Sequence, residues 1–223
     1  MKLCERLRMT GELVPPGLCV ADIGTDHARL PIWLAERGTA PRVIASDLRT
    51  GPLQNAARNV AAAGFCDKIE LRRSDGLDSF APGEVECLLF AGMGGTLIAQ
   101  LLSRCGWAAR PGTIVVAQPM RRARDLRRWL CENGFVIEEE TACFDAGRAY
   151  AALRAKAGGG ARTAGRGAAY PFYGELPHCG HPAARVLLRR ERRLAEIRAG
   201  ALAQAGRGGA ELEDLRAALA EEW

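Results

Sequence analysis

Asp22-Ile23-Gly24-Thr25-Asp26-His27 brings two carboxylates, an imidazole and a glycine into one short stretch. It follows the apolar run Leu18-Cys19-Val20-Ala21 and opens into Ile32-Trp33-Leu34-Ala35. Strand, glycine turn and helix start in that order is how open α/β sheets build a nucleotide-like ligand site, with the first amides of the helix turned to the ligand. A pyrophosphate would be poorly served by Asp22 and Asp26. A dinucleotide fingerprint G-x-G-x-x-G would also need glycine where Asp26 and Arg29 stand. A cationic, hydroxyl-rich ligand suits the two acids, and S-adenosylmethionine is both.

Further residues of the same kind recur at strand ends. Asp47-Leu48 closes the run Arg42-Val43-Ile44-Ala45-Ser46, where an acid is placed to accept from ribose hydroxyls. Asp75-Gly76 follows Ile69-Glu70-Leu71-Arg72, a position that commonly meets an adenine amino group. Gly92-Met93-Gly94-Gly95 follows Val85-Glu86-Cys87-Leu88-Leu89-Phe90 and lets another molecule come close to the backbone. Gln118-Pro119 ends Thr113-Ile114-Val115-Val116-Ala117. Each has a plainer reading. Asp47 and Asp75 serve equally as polar loop caps, the glycines as a tight strand-to-helix turn, and His27 and Gln118 as helix caps.

Elements that could position these residues are legible in order. Residues 1–14 read as a short amphipathic helix, followed by the first strand and the ligand turn. Gly51-Pro52 begins a helix that Gly64 ends, residues 96–104 form another, and 121–133 a third. Phe135-Val136-Ile137 and Tyr150-Ala151-Ala152-Leu153 supply an antiparallel pair. Six strand–helix alternations and a terminal hairpin describe a seven-stranded Rossmann-like α/β sheet of the class I methyltransferase kind. Residues 1–157 make that domain. Residues 158–181, glycine-rich at the start, read as linker and connecting segment. Residues 182–223 read as an α-helical hairpin with a stripe of Val186, Leu187, Leu194, Ile197 and Leu202 on its first helix.

Composition narrows the class. The chain has 223 residues, 48% of them hydrophobic, with net charge +5. No apolar run approaches the roughly 20 residues of a bilayer span. The N-terminus lacks the apolar region of a signal peptide, so a cytoplasmic protein without membrane contact is expected. Eight scattered cysteines with no C-x-x-C pair read as reduced core residues. His178-Cys179-Gly180-His181 lacks a further ligand cluster at zinc-like spacing, and no metal is expected. Basic residues are almost all arginine and concentrate in two places. Arg121, Arg122, Arg124 and Arg128 lie on the helix after Gln118-Pro119, and Arg189, Arg190 and Arg193 on the tail helix. They suit phosphate contact on both sides of a target nucleotide, though the interleaved Asp125, Glu191 and Glu196 also fit a solvated helix face.

Taken together, D-I-G-T-D-H with Leu30-Pro31, then Gly51-Pro52 with Ala56, Ala91-Gly92-Met93-Gly94-Gly95-Thr96 and Gln118-Pro119 resemble the bacterial tRNA (adenine-N1)-methyltransferases that modify position twenty-two of tRNA. The resemblance covers residues 3–155. It implies a methyltransferase domain followed by a helical, coiled-coil-like one, S-adenosylmethionine as cofactor and tRNA as partner. It further implies that Asp22, Gly24, Asp26, Asp47, Leu48, Asp75, Gly76 and Gly92 surround the cofactor. Met93, Gly94, Gln118 and Pro119 would border the target base, with Asp26 and His27 nearest the reacting centre. Where the family carries a Phe/Tyr-Gly-Pro step between the domains, this chain has Phe172-Tyr173-Gly174-Glu175. A methyltransferase of another RNA or of a small molecule, and a tRNA-binding protein without turnover, are the competing readings. A monomer or weak dimer is expected.

Overall fold

The computed structural model describes residues 2–158 and 167–221. Most of the expected glycine-rich linker, residues 159–166, lies outside the described residues. The chain runs α1 (Glu5–Glu12), β1 (Cys19–Ile23), α2 (Arg29–Glu36), β2 (Arg42–Asp47), α3 (Thr50–Ala63), β3 (Ile69–Arg73), β4 (Cys87–Ala91), α4 (Gly95–Ser103), β5 (Ile114–Gln118), α5 (Ala123–Glu132), β6 (Phe135–Asp145) and β7 (Arg148–Ala157). A short helix α6 (Tyr170–Tyr173), a 3₁₀ turn (Leu176–His178), α7 (Pro182–Gln204) and α8 (Ala210–Ala220) follow.

The seven strands form one sheet in the order β3-β2-β1-β4-β5-β7-β6. All pairs are parallel except those of β7, which runs antiparallel to β5 and β6. Strands β1, β2 and β4 are buried along nearly their whole length, as apolar runs covered on both faces must be. One core layer gathers Leu30, Trp33 and Leu34 of α2 with Met9 of α1 and Val60 of α3; the other gathers Ile98 and Leu102 of α4 with Leu126 and Leu130 of α5. The chain builds outward from β1 through β2 to β3, then returns to β4 on the other side of β1. That reversal opens a crevice at the carboxyl ends of β1 and β4.

Three expectations about elements need correction. Among the described residues no helix joins β3 to β4; the turns there bury Leu77 and Phe80 instead, so the strand–helix alternation is broken once. Strands β6 and β7 extend well beyond the apolar runs that marked them, because the exposed Glu138 and Glu139 and a register irregularity between Ile137 and Glu139 interrupt the pattern. The α7 stripe is also misread in part: Leu187 and Leu202 pack against the third core cluster, but the other three residues do not. Val186, Leu194 and Ile197 stand 47%, 50% and 61% exposed, while Ala183, Ala184, Leu188 and Ala195 are buried. Small residues let α7 lie close against β6 and β7, and the third core cluster joins Ala142 and Ala151 to Leu188, Leu215 and Ala218.

A buried ion pair fixes the approach to this tail. Arg127 of α5 meets Glu140 of β6 at 2.6 Å, both side chains 1% exposed. Arg127 Nη1 donates to the Phe172 carbonyl at 2.9 Å, and Glu140 Oε2 accepts from the Glu175 amide at 3.0 Å. Gly174, at φ +58°, fits between them: a Cβ there would stand 2.3 Å from Glu140 Oε2. The Phe-Tyr-Gly-Glu step is therefore the seat of the tail. His181 N-caps α7, its Nδ1 accepting from the Ala183 amide at 3.1 Å.

Candidate functional site

The turn after β1 is built to approach a ligand. Gly24 takes φ +79°, and a Cβ on it would lie 2.5 Å from Met93 Cε, so Met93 from the β4–α4 loop rests on the bare backbone. The amides of Gly24 and Thr25 both donate to the Ser46 carbonyl, at 2.8 and 2.9 Å. Asp26 and Ala28 then adopt φ +49° and +53°, a left-handed region unfavourable for residues with a Cβ. Ala28 is the N-cap of α2, with no side-chain cap. Helix capping is thus not the role of His27. Its Nε2 lies 3.4 Å from Asp26 Oδ2, and its carbonyl accepts from Asn59 Nδ2 at 2.9 Å.

Asp22 sits just inside the turn, 4% exposed. Burial pushes its carboxyl up to about 6; the nearby Thr25 hydroxyl pulls the other way, and the charge of Asp47 adds to the rise. The Thr25 hydroxyl does not meet hydrogen-bond geometry with Asp22. It is the one buried side-chain polar atom among the described residues with no partner. A buried acid and an orphaned buried hydroxyl are costly unless something binds there. Both line a cleft of about 470 Å³ with Gly24, Asp26, His27, Arg29, Ala91 and Gly92, and with Arg6 and Leu7 of α1.

The other strand-end residues are placed unequally. Asp47 is buried beside the turn, and its Oδ1 accepts from the Arg49 amide at 2.9 Å, so the loop-cap reading holds for that oxygen. Leu48 next to it is 54% exposed. Asp75 is turned outward toward Arg104, 3.3 Å away. Gly76 is buried with φ +58°, its place for a Cβ filled by Leu101 Cδ2 at 2.5 Å. Gly92, at φ +87°, lines the cleft, whereas Gly95 is a packing glycine whose Cβ would meet the Arg122 carbonyl at 2.3 Å. Gly94 is the N-cap of α4. Backbone bonds from Gly92 N to the Gln118 carbonyl, Met120 N to Met93 and Gly95 N to Arg121 zip the β4–α4 loop to the β5–α5 loop that holds Pro119.

Gln118 is wholly buried and caps no helix; the N-cap of α5 is Arg122, without a side-chain cap. Its Oε1 accepts from Arg6 Nη1 at 2.7 Å. Arg6 was not among the residues singled out from the sequence. An arginine beside an amphipathic stripe carries no signal of its own, and only the docking of α1 brings it to the sheet's carboxyl end.

Arg121 and Arg122 are exposed, and with Arg124 of α5 and Arg190 and Arg198 of α7 they line a second cleft of about 560 Å³ between α5, β7 and α7. Arg124 is half-buried over the Phe172 ring, and burial together with repulsion from Arg198 pulls its pKa below the usual arginine range. Arg189 and Arg193 are exposed on α7 outside that cleft, and Arg128 is held 3.6 Å from Asp214 of α8. Among the described residues no group of three or more His, Cys, Asp or Glu is disposed to hold a metal ion, and no helix is long and apolar enough to cross a membrane.

Similarity to known proteins shows the family of the chain. A family described as a methyltransferase domain matches residues 3–153. This chain belongs to that family. The methyltransferase is 34% identical over 158 residues, 71% of its length, to the tRNA (adenine(22)-N(1))-methyltransferase of Bacillus subtilis (strain 168), and the matched stretch spans 66% of that relative. The crystal structure of the B. subtilis M1A22 tRNA methyltransferase TrmK superposes with a TM-score of 0.83 at 28% identity, covering 98% of this chain and 96% of that one. A candidate tRNA (m1A22) methyltransferase of Streptococcus pneumoniae, solved in complex with S-adenosyl-L-methionine, gives a TM-score of 0.78 at 32% identity over 98% of this chain and 100% of that one.

Proposed function

We propose that this methyltransferase transfers a methyl group from S-adenosylmethionine to N1 of adenine 22 in tRNA. The observation that carries the reading is the switch point itself, where the buried Asp22 carboxyl and a Thr25 hydroxyl with no hydrogen-bond partner line one cleft with the bare backbone of Gly24. They fit a cationic ligand rich in donors and acceptors. When bound, S-adenosylmethionine supplies an electrophilic methyl group on a sulfonium. Asp22, Gly24, Thr25 and Gly92 would hold it, with Asp47 at its ribose and Leu48 against its base. Asp75 is displaced toward Arg104 and would reach it only by giving up that pair. The acceptor comes from the relatives, both named for adenine 22.

Adenine N1 carries a lone pair and no proton, so no strong general base is needed. The chain's task is alignment, and stabilisation of positive charge as it moves onto the ring. Asp26, which lines the cleft with His27 3.4 Å away, would be the carboxylate for that. N1 lies on the Watson–Crick edge, so the base leaves its pair first. Met93, Gly94 and the Gln118-Pro119 step would border it. Arg121, Arg122, Arg124, Arg190 and Arg198 would follow the backbone, with Arg189, Arg193 and Arg128 in support. Residues 1–157 are the catalytic domain, 158–181 the connection and 182–223 the tail, in a cytoplasmic monomer or weak dimer acting without a metal. Incubation with labelled S-adenosylmethionine tests this: unmodified tRNA should take up methyl groups and free adenosine should not. Methylation of adenosine alone would point to a small-molecule acceptor.

A further inference from the structure

We infer that Arg6, on the N-terminal helix α1, is the anion receptor of the cofactor cleft, and that it positions an anionic group of one of the two reactants. The inference rests on the methyl-transfer reading above. Most arginines with a described partner meet a carboxylate: Arg8 with Glu5, Arg42 with Glu70, Arg72 with Glu84, Arg127 with Glu140. Arg6 does not. Its one hydrogen bond among the described residues, Nη1 to Gln118 Oε1, is to a neutral amide, and the guanidinium lies 5.7 Å over the Tyr150 ring. Asp22 and Asp26 line the same cleft, yet no ion pair joins either of them to Arg6.

A guanidinium offers five N–H donors. Anchoring the wholly buried Gln118 occupies one of them and explains why the side chain is held. It does not explain why a half-buried cation that lines the cleft has no acid beside it among the described residues. The placement indicates where that anion would sit. Arg6 Nη1 is 3.6 Å from the point a Cβ would occupy on Gly92, and Gly92 is bonded to the Gln118 carbonyl. Arg6 therefore bridges the ends of β4 and β5 at the rim of the cleft.

Two groups share the required chemistry, the carboxylate of the cofactor's methionine part and a phosphate flanking the target adenosine. Either takes a forked pair of N–H donors. The methylated ring is excluded as the partner of Arg6, because it is itself cationic. Arg6 is thus a positioning residue, and the charge on the ring is left to Asp26.

Calorimetry on the full chain separates the sources. S-adenosylhomocysteine carries the carboxylate, 5′-deoxy-5′-methylthioadenosine has the same nucleoside without it, and an unmodified tRNA transcript carries the phosphates. If the carboxylate is the partner, Arg6→Gln should weaken S-adenosylhomocysteine roughly 10- to 100-fold and leave methylthioadenosine unchanged. If a phosphate is the partner, S-adenosylhomocysteine should be unchanged and tRNA affinity should fall by a similar factor. Arg6→Lys keeps the charge without the fork, so its loss should be intermediate. It carries the same comparison should Arg6→Gln fail to fold. Affinities for all three probes within twofold of the unaltered protein would overturn the inference. So would a parallel loss of methylthioadenosine, which would mean general damage to the cleft. Failure of the unaltered protein to bind any probe would instead overturn the methyl-transfer reading, and the inference with it.

Discussion

Asp22 shows how a residue proposed to bind works against the fold that carries it. Its carboxyl is raised from 3.8 to about 6 by burial, so the protonated form is the one the ligand-free fold prefers. The stability tied to that proton is fully present below the unfolded value and is lost as pH rises through about 6. The loss is on the order of 3 kcal/mol. Asp22→Asn should therefore raise the thermal midpoint of the ligand-free protein at pH 7.5 while abolishing cofactor binding, and should flatten the midpoint's dependence on pH between 4 and 6.5. Scanning calorimetry across that range checks both, and a lower midpoint at every pH would contradict the account. At this scale the sequence was informative where chemistry is local. The acids and glycines of the first turn lie at the crevice as their spacing implied. Asp75 is paired with Arg104, the C-cap of α4, and a partner 29 positions away leaves no mark on the local pattern.

At the scale of elements, the joint between α5, β6 and the 171–175 segment governs how the tail meets the sheet. Breaking one side of the Arg127–Glu140 pair leaves a buried charge without compensation, which costs about 3–5 kcal/mol. Glu140→Gln should be destabilised to that degree in urea unfolding. The Arg127→Met, Glu140→Leu double variant should be closer to the unaltered protein, since both charges are gone. Equal losses would deny the pair its role. Gly174→Ala adds a strained φ to a 2.3 Å contact with Glu140 and should expose the tail to limited proteolysis before the sheet. Arg127 illustrates what sequence hides. It sits among five arginines in residues 121–128, alike in type, and only the third dimension buries it while leaving Arg121 and Arg122 in solvent. Strands of simple apolar pattern were legible for the opposite reason: burial on both faces writes itself into consecutive residues. The α7 stripe misled because alanines share the buried face with Leu188, while Val186, Leu194 and Ile197 turn to solvent.

Across the whole molecule, the cleft at the first turn has in its wall Gly92, whose amide is bonded to the Gln118 carbonyl, and the arginine-lined cleft has Pro119 and Met120. A nucleotide reacting in the first would leave its backbone free to follow the second and the exposed face of α7. Arg189→Ala, Arg190→Ala and Arg193→Ala combined should weaken tRNA binding and reduce its salt slope by about one for each phosphate that is no longer neutralised, with S-adenosylhomocysteine affinity unchanged. A filter-binding series in potassium chloride reads the slope. An unaltered slope would show that this face is only solvated, as its interleaved acids allow.

The position of the methyl group distinguishes the proposed activity from every alternative. Purified protein, unmodified tRNA transcript and S-adenosylmethionine, followed by primer extension, locate any N1-methyl block directly. A stop at adenine 22 that vanishes when that base is replaced is expected. A stop elsewhere, or none from a protein that binds the cofactor, would contradict the proposed activity.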